Sequence, residues 1–418
     1  MKNLIYKLKE RGFIDSVTDH KLFSLTKHPI KVYAGFDPTS NSLHLGNLIA
    51  MIGLAWFHRF GHKPIALIGG ATGMIGDPSG RNTERNILDS KTIHINSIGI
   101  RRSLEAVLKT DVMILDNASW FREMGYISFL RDIGKFFRLG PMLAKESVKT
   151  RLTSKEGISY TEFSYQLFQA YDFLHLFREH EVTLQIGGSD QWGNIVAGTE
   201  LVRRLTGTSV NGMTFPLLTR SDGKKFGKSE KGAIWLNPDR LPSYDFYQYF
   251  FSIPDADIPK MFRMLTFLDL EEIREIEDSM RAKDYIPNSA QRRLAEEVTK
   301  IVHGQQGLNE AISITKAAQP GSHTQLTSET LRTLVSGLPS QTLLVDKVVG
   351  VKLIDLLVKC HLLESKGEAR RMIIGGGVSL NNVKVSDEEL VLSKTHLVEN
   401  EFVLISLGKK KKLVIRIS

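Results

Sequence analysis

A single cysteine, Cys360, among 418 residues excludes a disulfide framework and any zinc site built from several thiolates. It suits a reducing cytoplasm, where the chain is expected to work. Long apolar runs are lacking as well. No uninterrupted stretch approaches the roughly 20 residues that cross a bilayer, so no membrane span is expected. Lys2, Lys7, Lys9, Glu10 and Arg11 break up the first residues, which do not read as a signal peptide. Acidic residues are in the minority, 46 against 55 Lys and Arg, and the net charge is +9. That balance favours a polyanionic partner such as RNA or an acidic membrane surface without requiring either. The remainder, 42% hydrophobic and 24% charged, is ordinary globular composition. A chain of this length exceeds one core, and two or three domains are expected.

The most informative stretch runs from Tyr33 to Asn47, Tyr-Ala-Gly-Phe-Asp-Pro-Thr-Ser-Asn-Ser-Leu-His-Leu-Gly-Asn. An apolar strand (Ile30, Val32, Tyr33) breaks at Gly35, crosses a polar turn at Pro38, and opens an apolar helix from Leu48 to Phe57. Such a junction presents backbone N–H groups and the positive end of a helix dipole, which favour phosphate. Gly46 admits a large group close to the backbone, and His44 can donate to phosphate oxygens as charge develops. An ordinary βα turn with a capping histidine accounts for the same residues. Much later, Lys224-Lys225-Phe226-Gly227-Lys228-Ser229 sets lysines on a Gly-bearing loop. They read either as a solvated face or as a clamp for a polyphosphate leaving group.

Between 30 and 220, strand candidates Ile30–Tyr33, Pro64–Ile68, Val112–Leu115 and Val182–Ile186 alternate with helical stretches. The alternation predicts a parallel α/β sheet with binding residues at the carboxyl ends of its strands. Gly69, Gly70, Gly73, Gly76 and Gly80 follow the second strand, which suggests close approach of backbone to a ligand. Arg81 and Arg85 come next and can reach phosphates or an RNA end. Residues 120–160 break the pattern with a helical insertion, Phe129 to Leu152, whose Phe136, Phe137, Leu139, Met142 and Leu143 make a local core or a dimer face. In the helix Tyr160 to Phe177, residues Tyr165, Gln169 and Asp172 share one face. Because that helix is apolar nearly all round, Asp172 reads as a buried carboxylate needing a partner, a substrate ammonium or hydroxyl among the candidates. Gln185-Ile-Gly187-Gly188-Ser189-Asp190-Gln191 repeats the strand–glycine–helix device and looks like a ribose and amino-acid platform. Arg203 and Arg204 end the next helix, either facing RNA or simply complementing the helix dipole.

From Ser243 to about Ala318 the pattern is helical. A polar, linker-like run follows to about 345, and then a compact basic module. In that module Leu353–Lys359 and Lys366–Ile374 read as helices, and Val403–Leu407 and Leu413–Ile417 as strands flanking Lys409–Lys412. Lys366, Arg370 and Arg371 with Lys410 and its neighbours form a plausible phosphate-backbone patch.

His44-Leu-Gly-Asn47 with Lys225-Phe-Gly-Lys-Ser229 resembles the HIGH and KMSKS signatures of class I aminoacyl-tRNA synthetases, and the surrounding residues look like the bacterial-type tyrosyl-tRNA synthetases. The last module resembles a small RNA-binding domain shared with a ribosomal small-subunit protein. The resemblance implies a Rossmann-like catalytic domain over 1–220 with a dimerisation insertion near 120–160. It further implies a helical anticodon-arm domain over 221–318, a linker over 319–345 and an RNA-binding domain over 346–418. It implies ATP with Mg²⁺, tyrosine and tRNA(Tyr) as substrates, a homodimer, no membrane partner and no resident metal. Carried over residue by residue, His44 and Thr39 serve the transferring phosphate, and Lys225, Lys228 and Ser229 the leaving pyrophosphate. Asp37, Gly46, Gly187, Asp190, Gln191 and Asn47 serve ATP or the adenylate. Tyr33 and Asp172 face the substrate phenol, with Asp77, Tyr165, Gln169 and Gln185 around the rest of the amino acid and Asn117 nearby. Asn47 stands where this family often has His. Tryptophanyl-tRNA synthetases, adenylyl transferases acting on small metabolites and non-catalytic RNA-binding relatives are the alternatives.

Overall fold

The computed structural model describes residues 3–79, 83, 86–109, 112–155, 157–221, 223, 226–229, 232–318, 326–408 and 411–418, with backbone alone at 146–147, 228–229 and 336–337. The chain divides into two compact units, Met1–Leu241 with Phe250–His303, and Pro242–Tyr249 with Gly304–Ser418.

The first unit is built on a six-stranded sheet. Its strands are β1 (Ser16–Val17), β2 (Lys31–Phe36), β3 (Lys63–Ile68), β4 (Met113–Asp116), β5 (Val182–Gly188) and β6 (Asn211–Phe215), in the order β1-β6-β5-β2-β3-β4. All pairings are parallel except β1 with β6. Val32, Tyr33, Ala34 and Phe36 of β2 are buried, as the near-continuous apolar run of a strand covered on both faces requires. From β2 the chain moves to β3 and β4 on one side and later returns to β5 on the other. The gap outside the carboxyl ends of β2 and β5 is therefore a topological switch point, where open α/β sheets bind ligands.

β2 does not stop at Gly35 as the sequence suggests. Gly35 and Phe36 still pair with Leu67 and Ile68, so the polar turn starts at Asp37. β6 carries no strand signal in the sequence, since Asn211 and Gly212 look like a turn, yet every residue of the strand is buried. The Leu45–Arg59 helix buries Leu48, Met51, Ile52 and Trp56. The helix expected at 160–177 runs Tyr160–His180, is capped by the Ser159 side chain, and ends at Glu181 in a left-handed conformation (φ 55°). The expected insertion resolves into short helices, Tyr126–Asp132, Leu139–Leu143 and Glu146–Leu152. It is pinned to the start of the Tyr160 helix by a fully buried Arg151–Glu162 ion pair at 2.7 Å, and the Arg151 guanidinium also donates twice to the Gly157 carbonyl. Removing either partner of such a pair typically costs about 3–5 kcal/mol.

The second unit carries a five-stranded sheet in the order Val383–Lys384, Val378–Leu380, Phe402–Leu407, Lys411–Ile417, Ser340–Leu343. The helices Leu353–Lys359 and Lys366–Ile374 pack their apolar faces into its core with Val403, Ile405 and Ile415. The stretch read as a linker is structured where described. Ser328–Gly337 is a helix whose Leu331 and Leu334 are fully buried, and Ser340–Leu343 is an edge strand. None of the described helices is long and apolar enough to cross a membrane.

Candidate active site

A cavity of about 920 Å³ opens at the switch point. Every residue expected to touch tyrosine, ATP or adenylate whose side chain is described lines it, from Tyr33 on β2 to Gln191 after β5. Lys225 lies outside the described residues. Lys228 and Ser229 are described by backbone only, as a strand pairing with Gly232–Ala233.

At the floor, Tyr33 is fully buried and its hydroxyl has no hydrogen-bond partner among the described residues. Burial, and then the neighbouring Asp172, hold its pKa well above the ordinary phenol value. Asp172 is buried as the composition of its helix implied, but protein groups supply its partners. Asn117 Nδ2 donates to Oδ2 at 3.0 Å and Trp120 Nε1 donates to Oδ1 at 2.9 Å. Burial raises the Asp172 pKa well above the carboxylate range, and these two bonds oppose the rise. The Trp120 indole is itself stacked on His175 at 4.1 Å. Trp120 was invisible in the sequence, since nothing about a lone aromatic 52 positions away announces a carboxylate partner.

Three further clusters line the walls. The Tyr165 hydroxyl donates to Asp37 Oδ2 at 2.8 Å, and Thr72 Oγ1 donates to Asp37 Oδ1 at 2.7 Å, so Asp37 and Tyr165 act as one group. The glycines after β3 serve this arrangement. A Cβ on Gly69 would lie 2.0 Å from Asp37 Oδ1, so glycine here admits a close approach of the carboxylate. Asp77 accepts from Gln191 Nε2 at 2.7 Å and from the backbone N–H of Ser79 at 2.9 Å, with Asn194 Nδ2 also directed at it. Asn117 Oδ1 accepts from Ala71 N–H at 2.7 Å, which fixes its amide so that Nδ2 points to Asp172. Gln185 is buried, with its Oε1 unpartnered among the described residues.

His44 and Asn47 close the N-terminus of the Leu45–Arg59 helix reciprocally. His44 Nδ1 accepts from Gly46 N–H at 3.1 Å, and Asn47 Oδ1 accepts from His44 N–H at 3.1 Å. An accepting Nδ1 puts the ring proton on Nε2, the tautomer that donates to phosphate. Asn47 spends its oxygen on the cap, which leaves its amide N–H groups as the donors it can offer.

Arg203 and Arg204, expected to face RNA, do not line the cavity. They end the Trp192–Thr206 helix, both paired with Glu200, and Arg204 also donates to the Phe136 carbonyl at 2.8 Å. Lys366 pairs with Asp355 at 2.7 Å and Arg370 with Glu388 at 3.5 Å. Lys411 and Lys412, read as hairpin charges, belong to a strand and donate to the Leu362 and Ala318 carbonyls at 2.5 Å each, so they are committed within the fold. Arg81, Arg85 and Lys410 lie outside the described residues.

A family described as tRNA synthetases class I (W and Y) matches residues 25–318, and one described as the tyrosine–tRNA ligase SYY-like C-terminal domain matches residues 330–415. A tyrosine–tRNA ligase of Protochlamydia amoebophila is 55% identical over 100% of this chain and 99% of its own. A chloroplastic/mitochondrial tyrosine–tRNA ligase of Arabidopsis thaliana is 49% identical over 100% of this chain and 84% of its own. Among solved structures, a C-terminally truncated mitochondrial tyrosyl-tRNA synthetase of Aspergillus nidulans superposes with a TM-score of 0.67 at 31% identity, covering 74% of this chain and 92% of that one. The two signatures, the switch-point cavity and these full-length relatives lead to one conclusion: the chain belongs to the class I aminoacyl-tRNA synthetases, on their tyrosyl branch.

Proposed function

We propose that the cavity activates tyrosine and hands it to tRNA(Tyr) in two displacements. In the first, the tyrosine carboxylate attacks the α-phosphorus of ATP and the bond to the β-phosphate oxygen breaks, giving tyrosyl-adenylate and pyrophosphate. In the second, a hydroxyl of the 3′-terminal ribose attacks the adenylate carbonyl and AMP leaves. Neither step requires a protein nucleophile, so the chain contributes positioning and stabilisation of developing charge. His44 Nε2 and Thr39 serve the α-phosphate, and Lys225, Lys228 and Ser229 the departing pyrophosphate. Asn47 donates to the ribose, which Gly187, Asp190 and Gln191 hold from the other side. Asp77, Tyr165, Gln169 and Gln185 take the amino-acid end. Mg²⁺ arrives with ATP as counter-ion of its phosphates and is substrate-borne.

The observation that carries this reading is the orphaned Tyr33 hydroxyl beside Asp172 at the bottom of the cavity. A buried hydroxyl without a partner costs about 1–3 kcal/mol, a cost relieved by a ligand hydroxyl such as the phenol of tyrosine. Tyrosine-dependent exchange of pyrophosphate into ATP tests it. Exchange driven by tryptophan, or none with any amino acid, would overturn it.

The protein works as a homodimer in this reading. Support comes from the 120–160 insertion, where Tyr126, Ile127, Leu139 and Leu143 are exposed while Met142 is buried. Sedimentation of wild type against Ile127→Asp checks this, with dissociation of the variant expected. The cytoplasm is the compartment assigned, in keeping with a lone, buried cysteine.

A further inference from the structure

We propose that Asn237 is a positioning residue for the activation step, clasping the segment behind the second signature to the segment ahead of the first and acting through His44. The inference rests on the reading of His44 as the α-phosphate donor. Asn237 does not line the cavity, yet it is 4% exposed and its side-chain amide is fully used. Nδ2 donates to the carbonyls of Asn41 at 3.1 Å and Gly99 at 2.9 Å, and Oδ1 accepts from Ser103 Oγ at 2.7 Å. Its backbone N–H donates to Ser42 Oγ at 3.1 Å, while Ser103 Oγ accepts from the Leu43 N–H at 3.1 Å. Asn237 thus holds Asn41 through its side chain, Ser42 through its backbone N–H and Leu43 by way of Ser103, immediately before His44.

The backbone around it forms a short ribbon between the two signatures. Leu236 N–H donates to Leu43 O at 2.9 Å, Leu45 N–H to Ile234 O at 2.8 Å, and Ile234 N–H to Gly227 O at 3.0 Å. Within that ribbon His44 bridges to Trp235, the two rings 6.2 Å apart. The Arg240 guanidinium covers the outer side of Trp235 at 4.4 Å and bonds Asn41 Oδ1. There is no slack on the helix side either. A Cβ on Gly99 would stand 1.9 Å from the Asn41 carbonyl oxygen, so helix backbone presses directly on the turn. A side chain that reads two carbonyls and a hydroxyl next to a phosphate-binding histidine sets a position, and displacing a catalytic group by about 1 Å costs on the order of 10²-fold in rate.

The test is a double-mutant cycle on the full-length protein, with rates expressed per titrated active site. Asn237→Ala is expected to slow single-turnover adenylate formation by about 10²-fold with equilibrium tyrosine binding unchanged. In a His44→Ala background it should slow it little further. Ser103→Ala, which removes one bond of the clasp, should show the same non-additivity on a roughly tenfold scale and serves if Asn237→Ala fails to fold. Losses that multiply in the double variants, or an unchanged rate per active site, would overturn the inference. If His44→Ala alone left activation intact, the reading of His44 itself would fail instead.

Discussion

Replacing Tyr33 by Phe should move stability and affinity in opposite directions. The hydroxyl is fully buried, without a protein partner among the described residues, and close enough to Asp172 for that carboxylate to raise its pKa further. In the free protein, removing it relieves an unsatisfied polar group. The variant is therefore expected to be more stable by about 1 kcal/mol, the lower end of the desolvation cost of such a group. For a chain of this size that is a rise in Tm of no more than about 2–4 °C. With tyrosine bound, the same hydroxyl makes a hydrogen bond worth about 0.5–1.5 kcal/mol, so tyrosine affinity should fall by roughly 3- to 10-fold. Phenylalanine binding should be unaffected, and the preference for tyrosine over phenylalanine should shrink by the same factor. It stays large because Asp172, Asn117 and Trp120 remain. The full preference expected for a site that bonds a hydroxyl, about 10⁴–10⁵, is a magnitude known from this enzyme family itself and not worked from the geometry. Thermal melts with and without saturating tyrosine, paired with equilibrium dialysis, measure both quantities. A variant that is less stable when free, or that binds tyrosine as well as wild type, would refute the assignment.

Four other outcomes are expected. Lys228→Ala should slow adenylate formation by about 10²–10³-fold in pre-steady-state kinetics while tyrosine binding stays unchanged, as expected for one stabiliser of developing charge. Asp172→Asn should change the pH dependence of stability measured by denaturant unfolding. With the folded pKa raised, Asp172 contributes stability that is present at low pH and lost as pH climbs through that pKa, and the variant should lack this decline. His303 is displaced the other way, pushed down to about 4 by burial, so its contribution is present above pH 6.5 and lost as pH falls toward 4. His303→Leu should flatten that loss, which amounts to at most about 3 kcal/mol. Converting Lys366, Arg370 and Arg371 to Gln should leave pyrophosphate exchange intact and weaken tRNA binding. In filter-binding assays the salt slope should shrink by about 0.7–0.9 for each phosphate no longer neutralised. For Lys366 and Arg370 the exchange of partners is cheap, since their exposed pairs with Asp355 and Glu388 are worth about 0–1 kcal/mol.

The sequence was most readable where chemistry and local structure coincide. The Tyr33–Asn47 junction and the Gln185–Gln191 platform carry turn residues, glycines and polar side chains in fixed order, and both fall on the cavity wall. Helices Leu353–Lys359 and Lys366–Ile374 were legible because their apolar spacing is regular. Long-range partners were not. Trp120, Asn194 and Asn237 acquire their meaning from residues 52, 117 and 196 positions away, and no local pattern encodes that. The helix Ser328–Gly337 had a usable signal in Thr327, which caps Thr330 N–H, followed by Leu331 and Leu334, but the polar composition of the run masked it.

The cap at the first signature defines which side chains its fourth position tolerates. Residue 47 offers an acceptor backward to the His44 N–H, and in the function proposed above it also offers a donor forward to the ligand. Asparagine meets both demands with the two ends of one amide, and a neutral imidazole meets them with its two nitrogens. An ionised carboxylate has only acceptors, and an ammonium or guanidinium only donors. The Asn found here and the His common in the family are thus two solutions to one requirement for a bifunctional side chain. Aspartate, of nearly the same shape, would preserve the helix start while silencing its outward hydrogen bond.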